Sequence, residues 1–373
     1  MKGLFLLNKQ LILPHSDILP DCLPPLLAWY AGQSDVRELP WRLAPTPYHT
    51  WLSEIMLQQT RASAVIPYYE RFLKALPDIR TLAACEDEQL MKLWQGLGYY
   101  SRARNLKKAA MAICQQHDGK LPQDFTALLA LPGIGRYTAS AIGSICWGKP
   151  WPAVDGNILR VVMRLLASDT DITPARTKTA VEQALAPHYP TGTAAGDLNQ
   201  AFMDLGSSIC LPHGAPHCPK CPLQRFCLAH DRSQEQDYPV KAAKKPRRQE
   251  KRTVLLLVQD NVAVALHQRP ANGLLAGLWE FPNLDGHLDL TAIRNWLLAH
   301  QLTASCIEPL PAARHIFSHI EWQLTGWRIE LSPTAASGVA DTAGGLTWAS
   351  CTDLTERYSL PSAFQYYLPD IFR

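Results

Sequence analysis

Cys210, Cys218, Cys221 and Cys227 fall within eighteen positions, in the pattern C-x7-C-x2-C-x5-C. Four thiols this close can close one metal site, either zinc or a four-iron cluster. The Cys218–Cys221 pair lets two thiolates turn onto one metal, and Cys221 to Cys227 brackets the apolar turn of Pro222, Leu223 and Phe226. A closed site of this kind marks where one domain ends. Disulfides are the other use of clustered cysteines. Met1–Leu7 carries one lysine and an apolar run of only Leu4–Leu7, with no small-residue cleavage site before Pro14, so no secretory signal is expected. No stretch approaches the roughly 18 uninterrupted apolar residues of a membrane span. The expected compartment is therefore reducing, where clustered cysteines hold metal. Neither ferredoxin spacing is matched, and His213, His217 and His230 are further zinc donors nearby, so spacing alone leaves zinc and iron–sulfur open. Cys22, Cys85, Cys114, Cys146, Cys306 and Cys351 are scattered and read as small apolar residues.

A chain of 373 residues makes two or three domains. Its net charge of +3 is unevenly distributed: residues 1–252 carry +8 and residues 253–373 carry −5. A basic front suits a polyanionic partner. The run Lys241–Arg252 holds seven basic residues, one acidic residue and Pro246, the composition of a linker. It serves either as a soluble tether or as a strap against DNA.

Before this run the chain reads as helical. Apolar residues recur at helical spacing in Thr50–Thr60, Thr81–Leu97, Ala103–Gln116, Phe125–Leu131, Tyr137–Cys146 and Ile158–Leu166. After it, Thr253–Gln259 and Val262–Gln268 are β-rich runs around Asp260-Asn261, a hairpin signal. Ile316–Leu331 and Leu346–Ala349 read as strands, and Thr291–His300 and Pro361–Leu368 as short helices. An all-α front is thus followed by an α+β back.

Leu131-Pro132-Gly133-Ile134-Gly135-Arg136-Tyr137-Thr138-Ala139 lies between two helical runs. Its glycines permit a tight turn and close approach of another backbone. Amides at the following helix N-terminus can hold a phosphate. This is a helix–hairpin–helix, a clamp for the DNA backbone that reads no sequence.

Hairpin and four-cysteine loop together resemble the endonuclease III superfamily of base-excision glycosylases. Within it the chain is most similar to adenine DNA glycosylases of the MutY family. The matching segments are Leu39–Arg42, Trp51–Thr60, Gly96–Leu106, the hairpin, Val154–Asn157 and Asn199–Gly206. The resemblance runs from about Pro40 to Cys227 and implies one [4Fe-4S] cluster on Cys210, Cys218, Cys221 and Cys227. The family's first cysteine gap usually has six residues; here Leu211–His217 makes seven. The implied partner is double-stranded DNA carrying A:8-oxoguanine or A:G mispairs, met by a monomer with no membrane attachment. The implied compartment is the cytoplasm and nucleoid of a bacterium, or the nucleus or mitochondrion of a eukaryote.

Bifunctional members carry a lysine after the hairpin's Gly-x-Gly-Arg, and its amine cleaves the strand through a Schiff base. Tyr137 stands there and cannot form that imine, so base removal without strand cleavage is expected. Glu54 lies in an apolar helical run, where a carboxylic acid keeps its proton near neutral pH and serves as general acid. Asp155 precedes a helix start that favours its ionised form, suiting it to an oxocarbenium-like sugar. One protonated and one ionised carboxyl is the logic of glycoside hydrolysis. By resemblance Gln59 wedges beside the lesion pair, with Gln58 before it. Leu57, Trp41 and Arg42 line the base pocket, and Gly133, Gly135 and Arg136 meet the backbone. Tyr99, followed by Tyr100, Arg102 and Arg104, stands beside the damaged guanine. Extruding a nucleotide needs such wedges.

Gly277–Pro282 supports a Nudix-like back domain, but no Nudix box follows it, so nucleotide hydrolysis is not expected. In this family that domain recognises 8-oxoguanine, and Phe317-Ser318-His319 matches the recognition loop. Four segments are expected: an extension, 1–21; a helical glycosylase domain, 22–232; a basic linker, 233–252; and a Nudix-like domain, 253–373. The alternatives are an endonuclease III-type pyrimidine glycosylase/lyase and a non-enzymatic iron–sulfur DNA-binding protein.

Overall fold

In a computed structural model the chain is described over residues 11–32, 39–243, 246–332 and 345–372. Residues 1–10 of the expected extension and Lys244–Lys245 of the basic run lie outside the described residues. The chain forms two compact units, one of Met1–Ala83 with Asn105–Ala243, the other of Ala84–Arg104 with Lys244–Arg373.

Helices fill the first part of the chain: α1 (Leu19–Ala31), α2 (Pro40–Leu43), α3 (Pro47–Leu57), α4 (Ala62–Ala75), α5 (Ile79–Ala84), α6 (Asp87–Trp94), α7 (Ser101–Gln116), α8 (Phe125–Ala130), α9 (Arg136–Trp147), α10 (Gly156–Leu165), α11 (Ala175–Leu185), α12 (Thr193–Ser208) and α13 (Leu228–Asp231). Their ends follow local chemistry. Thr46 accepts the His49 N–H at the start of α3, with Pro47 at the first helical position. The run Thr81–Leu97 is not one helix. It breaks at Cys85-Glu86 and restarts as α6, whose first turn holds Asp87 and Glu88, where carboxylates favour a helix N-terminus.

The expected extension is partly core. Leu13 and Leu19 are buried, and α1 packs on α12, with Cys22, Leu23 and Leu26 in one apolar core with residues of α10. This apolar stripe starts N-terminal to the motifs that mark the domain, so nothing local ties it to them.

The second unit holds a seven-stranded mixed sheet: β1 (Arg248–Gln259), β2 (Ala263–Gln268), β3 (Trp279–Glu280), β4 (Asn283–Asp285), β5 (Ala304–Ile316), β6 (Ile320–Leu331) and β7 (Leu346–Ser350). The order is β3-β2-β1-β6-β5, with β4 on β1 and β7 on β2. β1 and β6 run parallel, and β5 and β6 antiparallel. Strand alternation sends Val254, Leu256 and Val258 to one core and Leu255 and Leu257 to the other. The second core is closed by Ile293 and Leu297 of α14 (Leu290–Ala299). The first is closed by the chain end, including Phe364 and Tyr367; α15 (Cys351–Glu356) precedes it. Asp260 and Asn261 both take positive φ in the β1–β2 turn, as the Asp-Asn signal anticipates.

Further boundaries differ from the sequence reading. β1 begins at Arg248, inside the run read as linker, because Arg248–Arg252 pair backbone to backbone with Ile320–Leu324. Pairing of this kind leaves charged side chains outward and is silent in composition. The expected Pro361–Leu368 helix is a 3-10 turn over Gln365–Asp370.

Candidate active site and cysteine loop

In the helical unit, a cavity of about 240 Å3 is lined by Trp41, Arg42, Glu54, Leu57, Tyr137 and Asp155, with Asn157, Gln200, Met203 and Asp204. Glu54 sits on the buried face of α3 at 6% exposure. Its Oε2 accepts the Tyr137 hydroxyl at 2.5 Å. Burial, reinforced by Asp155, pushes the Glu54 carboxyl up to about 7, against the opposing pull of the Tyr137 hydrogen bond and Arg42. Tyr137 is held protonated, well above the usual phenol range, by burial and by the neighbouring carboxylates.

Asp155 caps α10. Its Oδ1 accepts the Asn157 and Ile158 amides at 2.9 and 2.8 Å, and its Oδ2 accepts Asn157 Nδ2 at 2.8 Å. Burial raises its pKa, while those donors and Arg160 pull it back. Glu54 receives one hydroxyl donor; Asp155 receives three N–H groups and a helix N-terminus. Ionisation is therefore better supported at Asp155 than at Glu54.

Arg42 does not stand free in the cavity. Its guanidinium pairs two-pronged with Asp204 at 2.8 and 3.1 Å. Asp204, Met203 and Gln200 lie in the Asn199–Gly206 segment, whose match to the family was the only sequence signal for them. Gln58 is half-buried, and Gln59 is exposed with φ at +58°.

A second opening joins Glu54, Tyr137 and Asp155 to Gly133, Gly135 and α11. Gly133 is needed by the fold: its φ is +78°, and a Cβ would meet Asn105 Cβ at 2.8 Å. Gly135 is different. It has no positive φ and a Cβ would meet nothing within 4 Å, so its bareness leaves room for something outside the chain. It precedes α9, whose N-terminus has no side-chain cap. Arg136 Nε donates to Glu182 at 2.7 Å.

The four cysteines lie on the flank of α10 in the same unit. Cys218, Cys221 and Cys227 have thiols pushed up to about 11, about 12 and about 11, by burial first; Glu235 adds to this at Cys218, and the neighbouring cysteines add to it at all three, against backbone hydrogen bonds at Cys221 and Cys227. Burial disfavours the thiolates here, and a bound metal's positive charge would favour them. A single zinc with Zn–S near 2.3 Å sets its sulfurs about 3.8 Å apart. No three of these four sulfurs lie within 4.8 Å of one another among the described residues. The donor set thus fits a cluster of several metal atoms better than one zinc ion. One group of three candidate donors does lie that close: Cys218, His230 and Glu235. The loop is tied to α10: Arg160 donates to the carbonyls of Cys210 and Gly206 at 2.8 and 2.6 Å, and Arg164 to that of Leu211 at 2.9 Å. The seven-residue gap projects outward. His217 N–H returns to Ile209 C=O at 2.9 Å, and Pro212–Ala215 between them are exposed.

In the second unit, Tyr99 and Ser318 share a hydrogen bond at 3.1 Å. Both line a cavity of about 790 Å3 with Tyr100, Arg104, Arg247, Phe317 and His319. Phe317-Ser318-His319 is the turn between β5 and β6, not mid-strand. Phe317 packs edge-on against His315 and Trp322, leaving Ser318 and His319 exposed. Tyr99 has φ at +48° and is 45% exposed. Tyr100 and Arg102 are buried, and Arg104 donates to the Ala276 carbonyl at 2.6 Å.

Residues 52–187 match the HhH-GPD superfamily of base excision DNA repair proteins, and residues 253–369 match the NUDIX domain. Hairpin, acid-lined cavity and mixed sheet define a helix–hairpin–helix DNA glycosylase followed by a Nudix-like domain. The helical part is similar to a thermostable thymine-DNA glycosylase, with a TM-score of 0.50 and 26% identity over 58% of this chain and 97% of that one. Over 405 residues the sequence is 33% identical to the adenine DNA glycosylase of Mus musculus, spanning 92% of this chain and 77% of that protein. The human adenine DNA glycosylase is 34% identical over 82% of this chain and 66% of its own length. The chain belongs to the adenine DNA glycosylase family. No helix among the described residues is long and apolar enough to cross a membrane.

Proposed function

We propose that this protein hydrolyses the N-glycosidic bond of adenine paired with 8-oxoguanine or guanine in duplex DNA, leaving the strand uncut. The observation that carries the reading is the Glu54–Tyr137 hydrogen bond in the cavity, with Glu54 titrating at about 7. An adenine extruded into the cavity meets a carboxylic acid still protonated near neutral pH. Glu54 delivers its proton to the purine ring at N7 as the glycosidic bond lengthens. The ionised Asp155, held by three N–H donors, stabilises the positive charge that develops on the sugar. Water then adds to the sugar carbon, and the proton it releases restores the acid form of Glu54 through solvent. Tyr137 orients the acid and offers no amine, so no imine forms with the abasic sugar.

Extrusion needs wedges, and two exposed residues have the strained backbone that such a task tolerates. Gln59 and Tyr99 are non-glycine residues in the left-handed region. Gln59 fills the space beside the lesion pair; Tyr99, with Phe317-Ser318-His319, meets the base opposite the adenine. The hairpin amides at Gly133 and Gly135 and the side chain of Arg136 take the backbone phosphates. Cys210, Cys218, Cys221 and Cys227 would hold a [4Fe-4S] cluster, which supplies the cationic centre that binds four thiolates into one loop. Lys220 and Arg225, exposed between the ligands, face solvent where phosphate can reach them. The protein acts as a monomer.

Glu54→Gln is the direct test, with duplexes carrying each mispair and protein of full iron content. Adenine release should fall by at least 10²–10⁴-fold, the range for a lost general acid, while DNA affinity persists. Release that survives in the variant would rule out the acid, and none from the unaltered protein would refute the activity.

A further inference from the structure

Lys178 lies on α11, on the opening shared by Glu54, Tyr137, Asp155 and the hairpin glycines. Its ammonium stands 5.4 Å from the centroid of the Tyr137 ring. It is half-buried, and burial lowers its pKa against the pull of Glu182 and Asp155. Both carboxylates are already committed. Glu182 accepts Arg136 Nε at 2.7 Å, and Asp155 accepts its three N–H donors at the start of α10. Lys178 itself makes no hydrogen bond or ion pair among the described residues.

A cation withdrawn from water without a partner of its own costs free energy, more than the weak attraction of an aromatic face returns. The cost is met when an anion arrives from outside. On this opening the arriving anion is the DNA backbone, which the bare Gly135 amide and the uncapped α9 N-terminus also face. An ammonium is a compact point charge suited to one phosphate oxygen. We propose that Lys178 takes one of the two phosphates flanking the extruded nucleotide, as a positioning residue for base removal. This rests on the DNA reading above. It has an electrostatic consequence. An unpaired ammonium beside the Asp155 site opposes positive charge developing on the sugar; a phosphate cancels it.

The test uses the intact, cluster-bearing protein and a duplex with adenine opposite 8-oxoguanine. Affinity is measured across salt concentrations, and adenine release is followed on the same duplex. Lys178→Gln should weaken binding about tenfold, the loss expected of one charge-assisted contact. It should also reduce the slope of log affinity against log salt by about 1, and Lys178→Arg should restore most of both. A second arm needs no variant to fold. Replacing the two flanking phosphates in turn by neutral methylphosphonates should cost the unaltered protein a similar factor at one of them. Lys178→Gln should then be indifferent to that replacement. Unchanged affinity and slope in Lys178→Gln would overturn the assignment, as would losses that multiply at both phosphates; adenine release by the unaltered protein would leave the family activity standing. If the unaltered protein releases no adenine, both readings fall together.

Discussion

Glu54, the acid of the proposed reaction, also carries a cost to the fold. In the folded protein it holds its proton up to about pH 7, from an ordinary value of 4.5, so the folded state binds more protons than the unfolded one between those limits. Stability from this group is therefore fully present below the lower value and declines as pH rises through the higher one. Glu54→Gln removes the penalty, and at pH 8 its Tm should rise, by up to about 3 kcal/mol of stability. Catalysis follows the same proton: single-turnover adenine release should decline above about pH 7. Tyr137→Phe removes the one hydrogen bond that pulls the Glu54 pKa down, so the declining limb should move to higher pH. A limb that stays in place or moves to lower pH would show that another group sets it. Glu54 was legible in the sequence because a lone carboxyl among Trp51, Leu52, Ile55 and Met56 has little access to water. Asp204 and Lys178 were not. Their roles come from what lies across the cavity or opening, and each sits on a helix whose local pattern is ordinary.

The element that joins the acid-lined cavity to the cysteine loop is α10. Asp155 caps its N-terminus, and two turns of arginine, Arg160 and Arg164, are buried at 7% and 4% along its length. Helical periodicity assigns arginines to the solvent face, so this burial was not visible beforehand. They are inside because the cysteine loop and the end of α12 bring carbonyl acceptors to them. Arg160→Met should cost about 2–4 kcal/mol, since it strands the Cys210 and Gly206 carbonyls in a buried place. Thermal unfolding and iron content measured together check this; a variant with unaltered Tm and full iron would contradict it. The same loop shows where the seven residues after Cys210 are accommodated. Its ends are joined by the His217–Ile209 hydrogen bond, and the extra length is exposed.

At the scale of the molecule, the notable feature is that Ala84–Arg104 belongs to the second compact unit, far from it in sequence. Lys92, Gln95 and Arg104 donate to the carbonyls of Leu354, Leu360 and Ala276 at 3.1, 3.3 and 2.6 Å. A protein ending at Ala243 should therefore melt several degrees lower and lose amide protection across residues 84–104. Protection retained there in the shortened chain would count against this partition. On the proposed function its affinity for a duplex with 8-oxoguanine opposite adenine should also fall, because Tyr99 no longer meets Ser318. Sequence alone determined the short-range features: that the front of the chain is helical, where the hairpin turns, that Tyr137 is no amine, and that four cysteines share a loop. These depend on spacing, turn chemistry and side-chain type over a few residues. Tertiary structure alone decided that Glu54 meets Tyr137, that Arg42 is held by Asp204, that Arg248 begins a strand and that Tyr99 joins Ser318. Each of these is a contact between segments distant in the chain, and its energy comes from burial and pairing that no local window contains.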